Sequence, residues 1–202
     1  MSTGVWYPSV TTVLGTSDPE KTAKLDVWKK SVGFDKAAQR TKEATDRGTA
    51  VHDEIDQWLT SFQLTVTSDT DKIIRVPAKQ IIKLLTTNLT EIWMNEQPVY
   101  SDVLRTAGRV DLVGRWNGVP AIIDFKTASR KKDEDDILQY FLQATAYSMC
   151  WYEITGELIE DIVIIIGNEN LFKPQLFHRK ITPYLKKVQT VFANYHAPNN
   201  RR

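Results

Sequence analysis

The chain has 202 residues, 42% of them hydrophobic and 25% charged, with 26 Lys/Arg against 25 Asp/Glu for a net charge of +1. These values sit near the averages for soluble globular proteins, and the length allows one domain with a sizeable core. They exclude an internal disulfide or a thiolate-held cluster, since Cys150 stands alone, and no apolar run approaches the roughly 20 residues that cross a bilayer. The opening Met1-Ser2-Thr3-Gly4-Val5-Trp6 lacks a basic region followed by an apolar one, so the expected setting is reducing and cytoplasmic. A balanced charge says little about nucleic acid, whose binders are often strongly basic. Locally, residues 19–52 hold eight Lys/Arg against five acids, Arg130-Lys131-Lys132 forms a second cluster and Arg201-Arg202 a third. A solvated helical face would carry the same charges.

In chain order, Asp18-Pro19 supplies an N-cap and a first-turn proline for a helix to about residue 31. A second helix is expected over 35–45. A third, over 46–62, follows from Val51, Ile55, Trp58, Leu59 and Phe62 at helical spacing. Ile81, Ile82, Leu85, Leu89, Ile92 and Trp93 mark a long helix starting near Pro77. The character then changes to strands at 99–104, 108–116 and 120–127, with Asn117-Gly118 between the last two. Asn-Gly favours a type I′ hairpin, whose two central residues need positive φ. A helix over 137–154, strands at 162–166 and 176–181, and a helix from Pro183 to about residue 195 complete the chain. The expected fold is a single α/β domain over 1–202, with a mainly helical lobe over about 1–95 and a mixed sheet flanked by helices over about 96–202.

With Asn117 and Gly118 as loop residues, Trp116 pairs with Val119; continuing that register puts Asp111 opposite Asp124 and Arg109 opposite Lys126. Directly opposed side chains lie about 5 Å apart at Cβ, and alternation puts Lys126 on the face of Asp124 while Val110, Leu112, Ile123 and Phe125 point into a core. Facing carboxylates repel unless something offsets them. A hard divalent cation does so, and Mg²⁺ is typically held by one or two carboxylates plus water and phosphate. Such an ion with a lysine beside it suits phosphodiester hydrolysis. An ordinary wet hairpin face balanced by Lys126 and Arg109 fits the pairing equally well.

Further residues bear on that choice. His52, in Gly48-Thr49-Ala50-Val51-His52, borders an apolar helical stripe on which Gly48 permits close approach of another backbone. Gln143 and Tyr147 lie one turn apart on a helix that follows the second carboxylate strand. Glu96 precedes the hairpin. Each has a bland alternative: a structural histidine, a satisfied amide, an exposed glutamate.

Taken in order, Gly-x-x-x-His52, Gly108-Arg-Val-Asp111, Asp124-Phe-Lys126 and Gln143-x-x-x-Tyr147 resemble the RecB-type nucleases of the PD-(D/E)xK superfamily. Tyr7-Pro8-Ser9-Val10-Thr11 and Leu25-x-x-Trp28-Lys29 look like the N-terminal region of the mitochondrial genome maintenance exonuclease and its phage and bacterial relatives. The resemblance implies a restriction-endonuclease-like fold. It implies metal ligation by His52, Asp111, Asp124 and the Phe125 carbonyl, with Glu96 as an additional acid. Lys126 would be the catalytic lysine, and Gln143 and Tyr147 would organise the site. Ser9, Lys24, Lys29, Arg109, Arg130, Lys131 and Tyr147 would contact DNA beneath arching N-terminal helices. The implied cofactor is Mg²⁺ or Mn²⁺, without an iron–sulfur cluster. No phosphate-binding Gly-x-x-x-x-Gly-Lys-Ser/Thr loop is present, so no ATP use is expected.

The expected activity is a metal-dependent DNA exonuclease acting on single strands or free ends in replication, recombination or repair. A single-strand-binding or annealing protein is the partner such an enzyme would have. A structure-specific endonuclease on flaps or branches shares the chemistry. A catalytically inactive nucleic-acid-binding module and a scaffold with accidental motif matches are the readings from other classes.

Overall fold

The computed structural model of the chain describes residues 6–63 and 65–197; residues 1–5 and the Arg201-Arg202 pair lie outside them. Ser9 opens α1 (Val10–Gly15) by accepting the Thr12 N–H at 3.1 Å. This short helix has no counterpart in the sequence reading, because six residues do not establish a helical period. Helix α2 (Pro19–Val32) begins at Pro19, as expected.

Helix α3 (Phe34–Ser61) runs unbroken for 28 residues, where the sequence predicts two helices meeting at 45–46. Nothing there stops a helix. Thr45 Oγ1 donates to the Thr41 carbonyl at 3.0 Å, and Lys42 pairs with Asp46 at 2.5 Å across the expected break. Phe62 is a left-handed C-cap with φ 57°, 69% exposed, rather than a core residue of the stripe.

Asp71 caps α4 (Lys72–Asn88), which starts before Pro77 and contains it. The helix also ends earlier than its spacing suggests. Asn88 donates back to the Leu84 carbonyl at 2.8 Å, and the chain enters β1 (Leu89–Ser101). Ile92 and Trp93 are therefore strand residues, and Trp93 stacks on Trp151 with ring centroids 6.2 Å apart. Then follow β2 (Thr106–Trp116), β3 (Val119–Thr127), a 3-10 turn (Asp135–Ile137), α5 (Leu138–Thr155), β4 (Asp161–Gly167), β5 (Gln175–Lys180) and α6 (Thr182–His196). Among the described residues, no helix is long and apolar enough to cross a membrane.

The five strands form one mixed sheet in the order β1-β2-β3-β4-β5, parallel between β3 and β4 and antiparallel at the other junctions. The parallel pair needs a crossover, and α5 supplies it. Interior strand β4 is buried at every residue, with an unbroken apolar run over 162–166, whereas burial on edge strand β5 alternates. One sheet face carries α1, α5 and α6 around Val110, Val113, Ile122 and Ile164; the other carries α3 and α4 around Leu112, Ile123, Phe125 and Ile165. The molecule is a sheet between two helical layers, the α/β class expected.

Candidate active site

The hairpin that carries the site forms as its turn residues predict. Asn117 (φ 50°) and Gly118 (φ 81°) both take positive φ, and pairing runs from Trp116↔Val119 to Leu112↔Ile123. There the ladder ends. Asp111 and Asp124 are not paired residues, and neither are Arg109 and Lys126. The Phe125 N–H instead donates to Asp111 Oδ2 at 2.7 Å, so a side chain replaces the backbone partner and the strands part. The strict alternation expected at Val110 fails at the same place, since Val110 joins the core under α5 while Leu112 joins the other. Across from Asp111 on β1, between the partners of Leu112 and Val110, sits Glu96 with φ 49°. A left-handed glutamate in a strand is strained, and it turns its carboxylate into the opening.

Four elements meet there. From α3, His52 Nδ1 lies 3.3 Å from Glu96 Oε1 and 3.7 Å from Asp111 Oδ1, and Nε2 donates to the Phe125 carbonyl at 3.0 Å. Ligand atoms of His52, Glu96 and Asp111 all lie within 4.8 Å of one another, a group that could hold a metal ion. Asp124 stands outside this trio, drawn to Lys126 Nζ at 2.6 Å. Its side chain is 1% exposed and Oδ1 has no hydrogen-bond partner.

The charges are matched to this geometry. Burial, and then the nearby Asp124, push Asp111 well above the usual carboxylate range. Burial pulls the His52 imidazole down, but its bond to Glu96 and the Asp111 charge outweigh that and hold it above its ordinary value. Burial likewise lowers Lys126, yet Asp124 and Asp111 more than offset it and keep the ammonium charged. Three carboxylates crowd one largely buried spot, an arrangement that could hold a cation.

Helix α5 closes the other side. Gln143 Nε2 donates to Tyr147 Oη at 3.1 Å, and burial pushes the Tyr147 phenol up to about 12. Tyr147 packs against Gly108, where an added Cβ would stand 2.6 Å from the ring, so a bare glycine is what lets the tyrosine reach the strand. Gly48 is different: the nearest atom to an added Cβ there is Thr127 Oγ1 at 4.0 Å, so the close backbone approach expected on the α3 stripe is absent. Tyr140, which sequence reasoning missed, places its ring 5.3 Å from Lys126 Nζ. Its signal was the helical spacing Tyr140, Gln143, Tyr147.

The residues expected to meet DNA fare unequally. Ser9 Oγ is committed to the α1 cap. Lys24 and Lys29 sit on α2, each 4.0 Å from an acid of the same helix. Arg109 binds the Glu96 carboxylate at 2.7 Å and its backbone carbonyl at 2.9 Å. Arg130 pairs with Asp136 at 2.7 Å, while the neighbouring Lys131 is exposed. Two hollows flank the centre. A polar one of about 300 Å³ is lined by Gly48, His52, Glu96 and Arg109, and an apolar one of about 320 Å³ by Leu14, Leu25, Tyr140 and Gln143.

No protein-family model matches the chain, and no curated protein sequence does. Among solved structures, it is similar to a candidate exonuclease from Eubacterium rectale, with a TM-score of 0.46 and 10% identity over 78% of this chain and 73% of that one. It is also similar to the protein SSO0001, with a TM-score of 0.37 and 11% identity over 77% of this chain and 84% of that one. Likenesses this distant say nothing about chemistry, which rests on the residues themselves.

Proposed function

We propose that this chain is a divalent-metal-dependent nuclease of the RecB type, hydrolysing phosphodiester bonds in DNA from free ends and preferring single strands. The observation that carries the proposal is Asp124: a carboxylate 1% exposed, with Oδ1 unpartnered, beside the His52, Glu96 and Asp111 trio. Lys126 meets only the other oxygen; a buried charge left part-satisfied is expensive, and such a group persists where a ligand completes it. The nitrogen and carboxylate donors fit a hard divalent ion such as Mg²⁺ or Mn²⁺. His52, Asp111 and Asp124 would hold it, with Glu96 in reach and the Phe125 carbonyl, which now accepts from His52, available as a further donor. When bound, the ion supplies Lewis-acid activation of a phosphoryl oxygen and acidifies water.

The rest falls to the chain's own residues. Lys126, held charged between Asp124 and the Tyr140 ring, faces the same opening and can offset charge on the phosphoryl group as water attacks phosphorus and the ester oxygen departs. The Phe125 N–H fixes the Asp111 carboxylate, and Glu96 fixes the imidazole. Tyr147 and Gln143 wall off the site through Gly108. The preference for single strands is supported by the apolar hollow beside Tyr140 and Gln143, which suits an unstacked base.

The test is digestion of end-labelled single-stranded and duplex DNA with Mg²⁺, Mn²⁺ or EDTA, beside Lys126→Ala. Metal-dependent shortening that the variant loses is the expected result, with circular substrates spared. Cleavage of circles would make it an endonuclease. No cleavage with DNA binding retained would make it a binding module.

A further inference from the structure

Beyond the catalytic opening, two loops are clipped into one rigid body. The first leaves β3 at Ala128, whose N–H donates to the Gly167 carbonyl at 3.0 Å. The second leaves β4 at Gly167 and carries Phe172. Asn170 Nδ2 donates to the Ser129 carbonyl at 2.9 Å, and the Lys132 backbone and Gln175 side chain exchange two hydrogen bonds at 2.8 and 2.6 Å. The second loop is also tied down from below. Gln80 on α4 accepts the Asn168 N–H at 2.8 Å and donates to the carbonyls of Asn168 at 3.1 Å and Leu171 at 2.8 Å. Glu169 pairs with Arg47, on the helix that carries His52, at 3.4 Å in a largely buried contact.

So thoroughly fixed a loop presents at its tip a phenyl ring, Phe172, that is 95% exposed. A lone exposed ring is common on a protein surface, so what marks this one is the hydrogen-bonded loop that holds it and the lysines that accompany it. Lys173 beside it and Lys131 on the companion loop are both exposed, and neither has an ion-pair partner among the described residues. Ser129 lies three residues from Lys126, so the clip is at most about 11 Å from the catalytic lysine along the backbone.

We propose that Phe172, with Lys131 and Lys173, is a landing platform for single-stranded nucleic acid, the phenyl ring stacking on one base while the lysines meet adjoining phosphates. An aromatic face accompanied by cations is the combination that tracks an unpaired strand without reading its sequence. The proposal rests on the nuclease reading for its substrate but not for its test.

The experiment is fluorescence anisotropy of a labelled oligothymidylate with the full chain in EDTA, where no cleavage occurs. Phe172→Ala weakens binding about ten-fold or more, and Phe172→Trp keeps it. The Lys131→Ala, Lys173→Ala pair lowers the slope of log affinity against log salt by about 1.4, the value for two phosphate contacts on a single strand. Unchanged melting temperatures confirm that the folds are intact. Affinity indifferent to Phe172→Ala overturns the proposal even if the protein cuts DNA. Affinity lost with Phe172→Ala in a protein that cuts nothing supports it and sinks the nuclease instead. A wild-type chain that does not bind the strand in EDTA overturns the platform and leaves the nuclease reading to the digestion assay.

Discussion

The chain builds two clusters from the same residue types. At the β4–β5 edge, Asp161 Oδ1 meets His178 Nε2 at 2.8 Å and Oδ2 meets Lys180 Nζ at 2.7 Å. At the hairpin, Asp111, Asp124, His52 and Lys126 gather with Glu96. In the first cluster both Asp161 oxygens are satisfied and the partner side chains are 40% and 55% exposed, an arrangement that is complete in itself. In the second, three carboxylates share one buried place and one oxygen is left without a partner. Aspartate, histidine and lysine in proximity do not make a site. A buried surplus of one charge does, because it leaves work for a ligand.

That contrast can be broken by experiment, beginning with turnover. Asp124→Asn or Lys126→Ala should lower DNA hydrolysis by at least about 10²–10³-fold, while Asp161→Asn stays within about two-fold; equal losses in a gel assay would erase the distinction. Next comes metal linkage. Mn²⁺ or Mg²⁺ at about 100 times its dissociation constant should stabilise the protein by about 2.7 kcal/mol, read as a rise in melting temperature that Asp124→Asn abolishes and Asp161→Asn keeps. Gly108→Ala would press its methyl into Tyr147, expected to cost about 1–3 kcal/mol and some activity; urea titration measures the first.

The smallest effect concerns pH. The folded state holds Asp111 above its unfolded value, so it binds a proton more tightly than the unfolded chain does. Its contribution is fully present below the ordinary carboxylate range and is lost as pH rises towards neutrality. Metal-free Asp111→Asn should therefore be more stable than wild type at pH 7, by on the order of 1 kcal/mol. The difference should vanish in acid; a variant less stable at pH 7 would show Asp111 to be a structural carboxylate instead.

Much of this was legible in the sequence where a local rule decides. Asn117-Gly118 fixed the hairpin register, the apolar run at 162–166 marked a buried strand, and the spacing of Val51, Ile55 and Leu59 marked the buried face of α3. Where tertiary contacts decide, it was not. Ile92 and Trp93 keep helical spacing but pair with β2 and pack on Trp151. The register that put Asp111 opposite Asp124 could not show the Phe125 N–H taking Asp111 as its partner. The trio was readable as residue types, while its geometry depends on Glu96, whose left-handed backbone no pattern announces.

That backbone has a consequence for how the position tolerates change. A glutamate at φ 49° costs on the order of 1–2 kcal/mol that glycine would not. A mutational scan scored by abundance should rank Glu96→Gly as an improvement, whereas one scored by DNA cleavage should rank it as a loss. Few positions in the chain are expected to carry opposite signs in the two screens, so such a scan would locate the centre of the site without reference to any relative.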